Sequence, residues 1–192
     1  MLTRDNVLKE LSIKSSNGFY FNELPNIPKI NLRGNSNDKQ FIFNINNILN
    51  ILLPLTPNTF NQNNSLKTIW LGPNEWLIEI NQIRDFEKIF LDLKETLNFQ
   101  NTAVTDVTEN RTILKLSGIY LYKLLAKFMV VDLEKVLKSE SSVAQTIFVK
   151  IPVLIIRNHN KNQEPSVYLH ANRSHAQYII NLLVDGTKNI NF

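Results

Sequence analysis

Residues 67–80, KTIWLGPNEWLIEI, decide the fold prediction. Two short apolar segments flank Gly72, Pro73, Asn74 and Glu75, and a proline at the second position of a four-residue turn already has the φ angle that the turn needs. The stretch therefore predicts a β-hairpin that closes at the GPNE turn.

Alternation of side chains along the hairpin assigns its two faces. With Gly72 opposite Glu75, the residues predicted to share the core face are Ile69, Leu71, Trp76, Ile78 and Ile80. The opposite face then carries Thr68, Trp70, Leu77 and Glu79. Water covers that face in a one-sided sheet, and exposed tryptophans are typical of interfaces. Trp76 is therefore predicted to be core, and Trp70 and Leu77 are predicted to belong to a subunit interface.

The order of the predicted elements occurs twice along the chain. Residues 29–98 and residues 102–187 each begin with a strand and a helix, and the similar corners LRGN and LSGI join strand to helix. A β-branched run at 143–157 contains Pro152, which predicts an edge strand or a bend. The predicted fold class is α+β, a duplicated β-α-β-β-α plait of antiparallel sheets with helices packed on one side. Residues 29–192 are predicted to form a single domain of two pseudo-repeats.

Residues 1–28 are predicted to form an N-terminal arm. They show no sustained hydrophobic period, but Phe19 and Phe21 belong to an apolar cluster that is too large for a free tail. Two alternatives follow, because the cluster can pack on its own domain or lie along a neighbouring subunit. Phe19 and Phe21 therefore join Trp70 and Leu77 as candidate interface residues.

Composition excludes several classes of chemistry. The 192 residues include no cysteine, which excludes disulfides, thiolate metal sites and a cysteine nucleophile. The five glycines never take the spacing of a loop that binds a dinucleotide or a phosphate. The net charge of +4 is mild and its basic residues are scattered, so no nucleic-acid partner is predicted. With neither a membrane-length apolar run nor a signal-peptide core, the expected compartment is the cytoplasm.

No residue is predicted to be catalytic, to bind a cofactor or to ligate a metal. His170 and His175 lie across a strand-to-helix junction and lack the i, i+4 spacing of a zinc-binding helix. Asp106 and Glu109 could act as paired carboxylates, but the neighbouring Arg111 favours a turn held by local charge and hydrogen bonds.

Several stretches together resemble a known family. The chain resembles the gamma subunit of heterotetrameric sarcosine oxidase in five stretches, taken in their order and spacing: INLRGN, IWLGPNEWLIEI, AVTDVTENRTILKLSG, LLAKFMVVDL and SVYLHANRSHAQYIINLL. The resemblance covers most of residues 30–187, and LGPNEW beside Trp70 is its most specific part. This family is itself similar to the folate-binding domain of the glycine-cleavage T protein, which fits the two strand-to-helix corners.

The resemblance implies membership of a four-subunit flavoenzyme of sarcosine catabolism and one-carbon metabolism, which oxidatively demethylates sarcosine to glycine with oxygen and tetrahydrofolate. It also implies alpha, beta and delta subunits as partners, with FAD, FMN, NAD and zinc held in those partners. This chain would then be a non-catalytic assembly subunit. The alternative is a stand-alone folate-binding or folate-dependent protein of the T-protein type, because the predicted scaffold is the same.

Overall fold

A computed structural model describes residues 6–8, 11–97 and 101–188. The strands in these residues are β1 (Ser12–Lys14), β2 (Tyr20–Glu23), β3 (Lys29–Arg33), β4 (Phe60–Gln62), β5 (Leu66–Gly72), β6 (Glu75–Ile80), β7 (Ala103–Asp106), β8 (Arg111–Ser117), β9 (Val143–Phe148), β10 (Ile151–Arg157) and β11 (Ser166–Asn172). The helices are α1 (Lys39–Leu49), α2 (Ile83–Thr96), α3 (Leu121–Leu125), α4 (Leu133–Val136) and α5 (Ala176–Lys188). No helix in the described ranges has the length and apolar character needed to cross a membrane.

Two compact units make up the described residues, each built on one antiparallel sheet. The first-repeat unit takes its residues from Ile27–Thr108, and its strands are ordered β4-β5-β6-β3-β7. The second-repeat unit takes its described residues from Met1–Asn26 and Glu109–Phe192, and its strands are ordered β1-β2-β8-β11-β10-β9. The predicted α+β class with antiparallel sheets is confirmed.

The duplication is visible in the strand order of both sheets. The run β4-β5-β6-β3 in one sheet corresponds to β9-β10-β11-β8 in the other. Each repeat therefore has one more outer strand than predicted, because the β-α-β-β-α prediction did not include β4 and treated β9 and β10 as one strand. A strand from outside the repeat completes each sheet, since β7 pairs with β3 and β2 pairs with β8.

The segment 143–157 forms a hairpin and not the single interrupted strand that was predicted. Val149 and Lys150 make its two-residue turn, and β10 lies inside the sheet between β9 and β11. Pro152 is tolerated because β11 pairs with β10 only from Leu154 onwards, so the missing N–H removes no bond to β11.

Part of the predicted arm is built into the second-repeat sheet. β2 pairs with β8, where Phe21 lies opposite Leu116. Phe19 and Phe21 are 0% and 1% exposed, and their rings stack with centroids 6.3 Å apart. Of the two alternatives for this cluster, the structure has the one in which it packs within its own chain. The division into an arm at 1–28 and one domain at 29–192 stays a prediction.

Helices α1 and α2 supply the apolar cover for one face of the first-repeat sheet. The carboxylate of Asp38 caps α1 by accepting hydrogen bonds from the backbone N–H groups of Gln40 (2.9 Å) and Phe41 (3.2 Å). The buried side chains of this core include Ile30, Leu32, Phe41, Ile45, Leu49, Trp76, Ile78, Ile80, Leu93 and Leu97. The cap fixes where α1 begins, and the candidate site lies beside that point.

Candidate functional site

The hairpin of β5 and β6 contains a β-bulge that changes which residues share a face. Gly72 lies opposite Glu75 as predicted, but Trp70 lies opposite Trp76, and Leu71 is the extra residue between these pairs. One extra residue in a strand shifts the pairing register by one, so every side chain that precedes the bulge in that strand moves to the other face of the sheet. The predicted face assignment of β5 is therefore wrong, and Trp70 shares a face with Trp76.

Trp76 is the buried centre of this site. Its side chain is 0% exposed, its indole N–H donates a hydrogen bond to the carbonyl oxygen of Pro54 at 2.8 Å, and the Phe41 ring lies 5.9 Å away between centroids. The prediction that Trp76 is core is confirmed. Because the indole N–H needs a partner when it is buried, the loop at Pro54 is fixed to the hairpin by this bond.

Trp70 is partly exposed and lines an open cavity of about 280 Å³, here called the Trp70 cavity. The lining residues are Ser36, Asn37, Leu55, Pro57, Trp70, Pro73 and Trp76. Two indole rings, two prolines and a leucine make the walls apolar, and the residues just before α1 add a polar rim. A cavity with this lining can hold an apolar side chain and orient it with a few hydrogen bonds.

A second and more polar cavity, of about 470 Å³, also borders the GPNE turn and is here called the Asn74 cavity. Its lining residues are Arg33, Gly34, Asn35, Asn74, Asn101, Thr102 and Ala103. The turn therefore contributes Pro73 to one cavity and Asn74 to the other.

Contacts with the LRGN corner hold the turn in place. The N–H of Gly34 donates to the carbonyl oxygen of Asn74 at 3.1 Å. Both carboxylate oxygens of Glu75 accept hydrogen bonds from β3, at 2.8 Å from Arg33 Nη2 and at 2.7 Å from Asn31 Nδ2. The two most recognisable motifs of the first repeat are thus in direct contact, which positions the walls of both cavities.

Glycine is required at position 34 because the backbone passes very close to an aromatic ring. A Cβ atom there would lie 2.3 Å from the ring of Phe41, well inside van der Waals contact. Phe41 is itself held in the core against Trp76, so the ring has little room to retreat.

The structure separates the four residues predicted to form an interface. Leu77, Phe19 and Phe21 are buried, at 3%, 0% and 1% exposure, so their side chains are not available at the surface of the chain. Trp70 alone among these four has an accessible side chain. Alternation correctly placed Leu77 on the face of the hairpin opposite Trp76, but the Leu77 side chain is buried on that face too.

The candidate carboxylates make local contacts. Asp106 Oδ1 accepts a hydrogen bond from the N–H of Thr108 at 2.9 Å, as a turn residue does, and Glu109 forms an ion pair with Arg173 at 3.0 Å. His170 is fully buried in β11. In the ranges that the structure describes, no three His, Asp or Glu side chains are grouped so that they could hold a metal ion.

A row of buried charged residues crosses the first-repeat sheet. The sequence pattern did not predict this row. Glu79 on β6 lies opposite Lys29 on β3 and opposite Lys67 on β5, and Lys29 and Glu79 are almost fully buried. Burial raises the pKa of Glu79 above its ordinary value, while the charges of Lys67 and Lys29 oppose that rise. Burial likewise lowers the pKa of Lys67, and Glu79 opposes the change. Alternation alone had placed Glu79 on a face open to water.

Residues 33–189 match the sequence profile of the family described as "Sarcosine oxidase, gamma subunit family". The chain belongs to this family. The matched range includes the LGPNEW motif and every residue that lines the Trp70 and Asn74 cavities. The resemblance inferred from the motifs is therefore confirmed.

Two solved structures are similar to this gamma-subunit family member. A chain of the heterotetrameric sarcosine oxidase from Corynebacterium sp. U-96, solved in complex with pyrrole 2-carboxylate, aligns with a TM-score of 0.77 at 19% identity over 92% of this chain and 87% of that one. The glycine cleavage system aminomethyltransferase T from Bartonella henselae aligns with a TM-score of 0.59 at 13% identity, over 84% of this chain and 44% of that one. These likenesses confirm the predicted T-protein-like fold. A comparison with curated protein sequences gives no match.

Proposed function

We propose that this chain acts as the non-catalytic assembly subunit of a cytoplasmic heterotetrameric sarcosine oxidase. The observation that carries the proposal is the family match over residues 33–189, which spans the GPNE turn and both cavities beside it. The fold shared with a chain of the Corynebacterium enzyme supports it. The enzyme's reaction, the oxidative demethylation of sarcosine to glycine with tetrahydrofolate, would then take place in other subunits.

The proposed partners are the alpha, beta and delta subunits of the same oxidase. FAD, FMN, NAD and zinc are proposed to be held by those partners. This division of roles is supported by the sequence, since the chain has no cysteine and no glycine-rich loop with which to hold such groups.

Trp70 is the proposed contact residue for a partner subunit. Its indole is partly exposed in an open cavity next to the most specific family motif. Tryptophans that become buried on association often carry much of the binding energy, about 2 kcal/mol or more on truncation. The contact is confined to Trp70 because Leu77, Phe19 and Phe21 are buried within the chain.

The test is to co-express the tagged chain with the alpha, beta and delta subunits and to quantify the subunits that co-purify. The wild-type chain should recover all three, and Trp70→Ala should weaken assembly by about 30-fold, the equivalent of 2 kcal/mol. Phe43→Ala is the matched control, because this aromatic side chain is 60% exposed on α1 and does not line the cavity.

Two outcomes would contradict these proposals. A wild-type chain that recovers none of the subunits rules out the assembly role. Equal recovery by wild type and Trp70→Ala, with circular dichroism showing that both chains are folded, rules out Trp70 as the contact.

The fold shared with aminomethyltransferase T favours one alternative, a protein that binds folate by itself. A ligand that binds only the folded state, present at 100 times its Kd, stabilises that state by about 2.7 kcal/mol. For a chain of this size the melting temperature would rise by about 5 to 10 °C. An assembly subunit should show no such shift when the purified chain is heated with tetrahydrofolate.

A further inference from the structure

The outer strands of the two described sheets differ in how they are protected against pairing with another chain. Strands β1 and β4 have only three residues, and β7 has four. A charged residue ends β1 at Lys14 and β7 at Asp106. β9 has six residues, VAQTIF, with neither a charge nor a proline among them. Proteins normally protect sheet edges by short strands, charges or prolines, so β9 lacks the usual protection.

The exposed part of this edge lies next to the β9–β10 turn. Ile147 is 55% exposed and lies opposite Pro152 in the hairpin. A two-residue turn places its flanking residues, Phe148 and Ile151, in a hydrogen-bonded pair, and hydrogen-bonded and non-bonded pairs then alternate. The backbone N–H and C=O of Ile147 therefore point away from β10, towards the outer edge of the sheet.

The turn itself holds an apolar residue in an unfavourable backbone conformation. Val149 has φ of +58°, a region that glycine, asparagine and aspartate adopt far more readily than a β-branched residue. Its side chain is 44% exposed, so burial within the chain does not account for a valine there. The N–H of Val149 donates to the carbonyl oxygen of Phe128 at 2.8 Å, which places the segment leading to the fully exposed Val130 beside the turn.

We propose that the outer edge of β9 and the exposed side chains of Val130, Ile147 and Val149, here called the β9 surface, dock an extended segment of a partner subunit. The segment adds to the sheet as a strand at Ile147 and packs apolar side chains against Ile147 and Val149. Lys150 is exposed in the turn directly after Val149, so the segment carries an acidic residue beside its apolar ones.

The inference rests on the proposed function, because the assembly role supplies the partner. A heterotetramer places different chains against this subunit, which is why the occupant is a partner subunit and not a second copy. The apolar edge and the backbone strain at Val149 are both explained if partner contacts cover the turn in the assembled enzyme.

The test uses the co-expressed four-subunit complex and two variants of the β9 surface. Ile147→Lys places a charge at the edge, and Val149→Asn removes the apolar side chain while accepting the positive φ. Both variants should weaken subunit retention by tenfold or more across a dilution series. The melting temperature of isolated Val149→Asn should stay the same or rise, because the backbone strain is relieved. Ile83→Lys is the matched control, since this isoleucine is 67% exposed at the start of α2 in the other unit.

Each outcome supports or overturns the inference. Wild-type retention by Ile147→Lys and Val149→Asn overturns it and leaves the assembly role standing. A wild-type chain that recovers no subunits overturns the assembly role and, with it, this inference. If the isolated wild-type chain is a dimer and Ile147→Lys is a monomer, the occupant is a second copy and the inference is wrong.

Discussion

Replacing Trp76 by alanine should destabilise the chain more than any other single change at the candidate site. Trp76 is fully buried between the hairpin and Phe41, and its N–H bonds to the Pro54 carbonyl. A large aromatic side chain buries about 150 to 250 Å², equivalent to about 4 to 6 kcal/mol at about 25 cal/mol per Å². Measured changes of this kind cost about 3 to 5 kcal/mol, because the surroundings partly relax into the cavity.

Trp76→Phe separates the two contributions to this loss. The phenyl ring keeps most of the apolar contact with Phe41, but the buried Pro54 carbonyl loses its hydrogen-bond donor, which costs about 1 to 3 kcal/mol. Trp70→Ala is the matched comparison on the same face, because that side chain is partly exposed and lines the open cavity. Its truncation should cost about 1 to 2 kcal/mol and leave the isolated chain folded.

The assay is urea denaturation followed by far-ultraviolet circular dichroism, since tryptophan fluorescence changes with the substitutions themselves. The loss expected for Trp76→Ala corresponds to a fall in melting temperature of about 6 to 20 °C for a chain of this size. The order of stability should be wild type, then the two milder variants, then Trp76→Ala. If Trp76→Ala unfolds within about 1 kcal/mol of wild type, or if Trp70→Ala is the more damaging change, the assignment of the buried face is refuted.

Two further predictions concern the same unit. Gly34→Ala should lower the free energy of unfolding by about 1 to 3 kcal/mol, because the new Cβ would clash with Phe41. Gly72→Ala is the control: its new Cβ would meet only Glu75 Cβ at 3.8 Å, so the free energy of unfolding should change by less than about 1 kcal/mol. Equal effects of the two substitutions in urea titrations would disprove the close approach at Gly34. Because burial raises the folded-state pKa of Glu79, its carboxyl contributes most to stability below its unfolded-state value of 4.5, and this contribution is lost as the pH rises through the folded-state pKa. The unfolding free energy of wild type minus that of Glu79→Gln should therefore fall as the pH rises from the unfolded-state value of 4.5 towards the folded-state pKa, and a difference that stays constant with pH would contradict the raised pKa.

Periodicity and turn chemistry were sufficient to predict the helices and the hairpin of the first repeat. The pattern of the first repeat predicted a helix after the LRGN corner, where α1 lies, and Pro73 marked the turn. These features depend on residues close together in sequence, where backbone preferences act directly. The family motifs depend on the same local stretches, which is why the resemblance could be recognised before the fold was known.

Strand pairing over long sequence distances could not be predicted in the same way. β2 pairs with β8 across about ninety intervening residues, and β4 has only three residues within a stretch rich in asparagine and proline. The bulge at Leu71 had no local signal either. Ile69, Trp70 and Leu71 are all apolar, so alternation alone could not decide which of them faces the core.

The bulge changes the kind of surface that Trp70 offers to a partner. In an unbroken hairpin Trp70 would stand on the face opposite Trp76, and a partner would meet it as a flat apolar surface. With Leu71 as the extra residue, Trp70 stands beside Trp76 and forms one wall of a cavity that is also bounded by Leu55 and Pro57. In the proposed assembly, a partner would reach the indole by inserting a side chain into that cavity. The proposal therefore expects a protruding apolar residue on the partner, and the contacts of the GPNE turn position the walls of the cavity that would receive it.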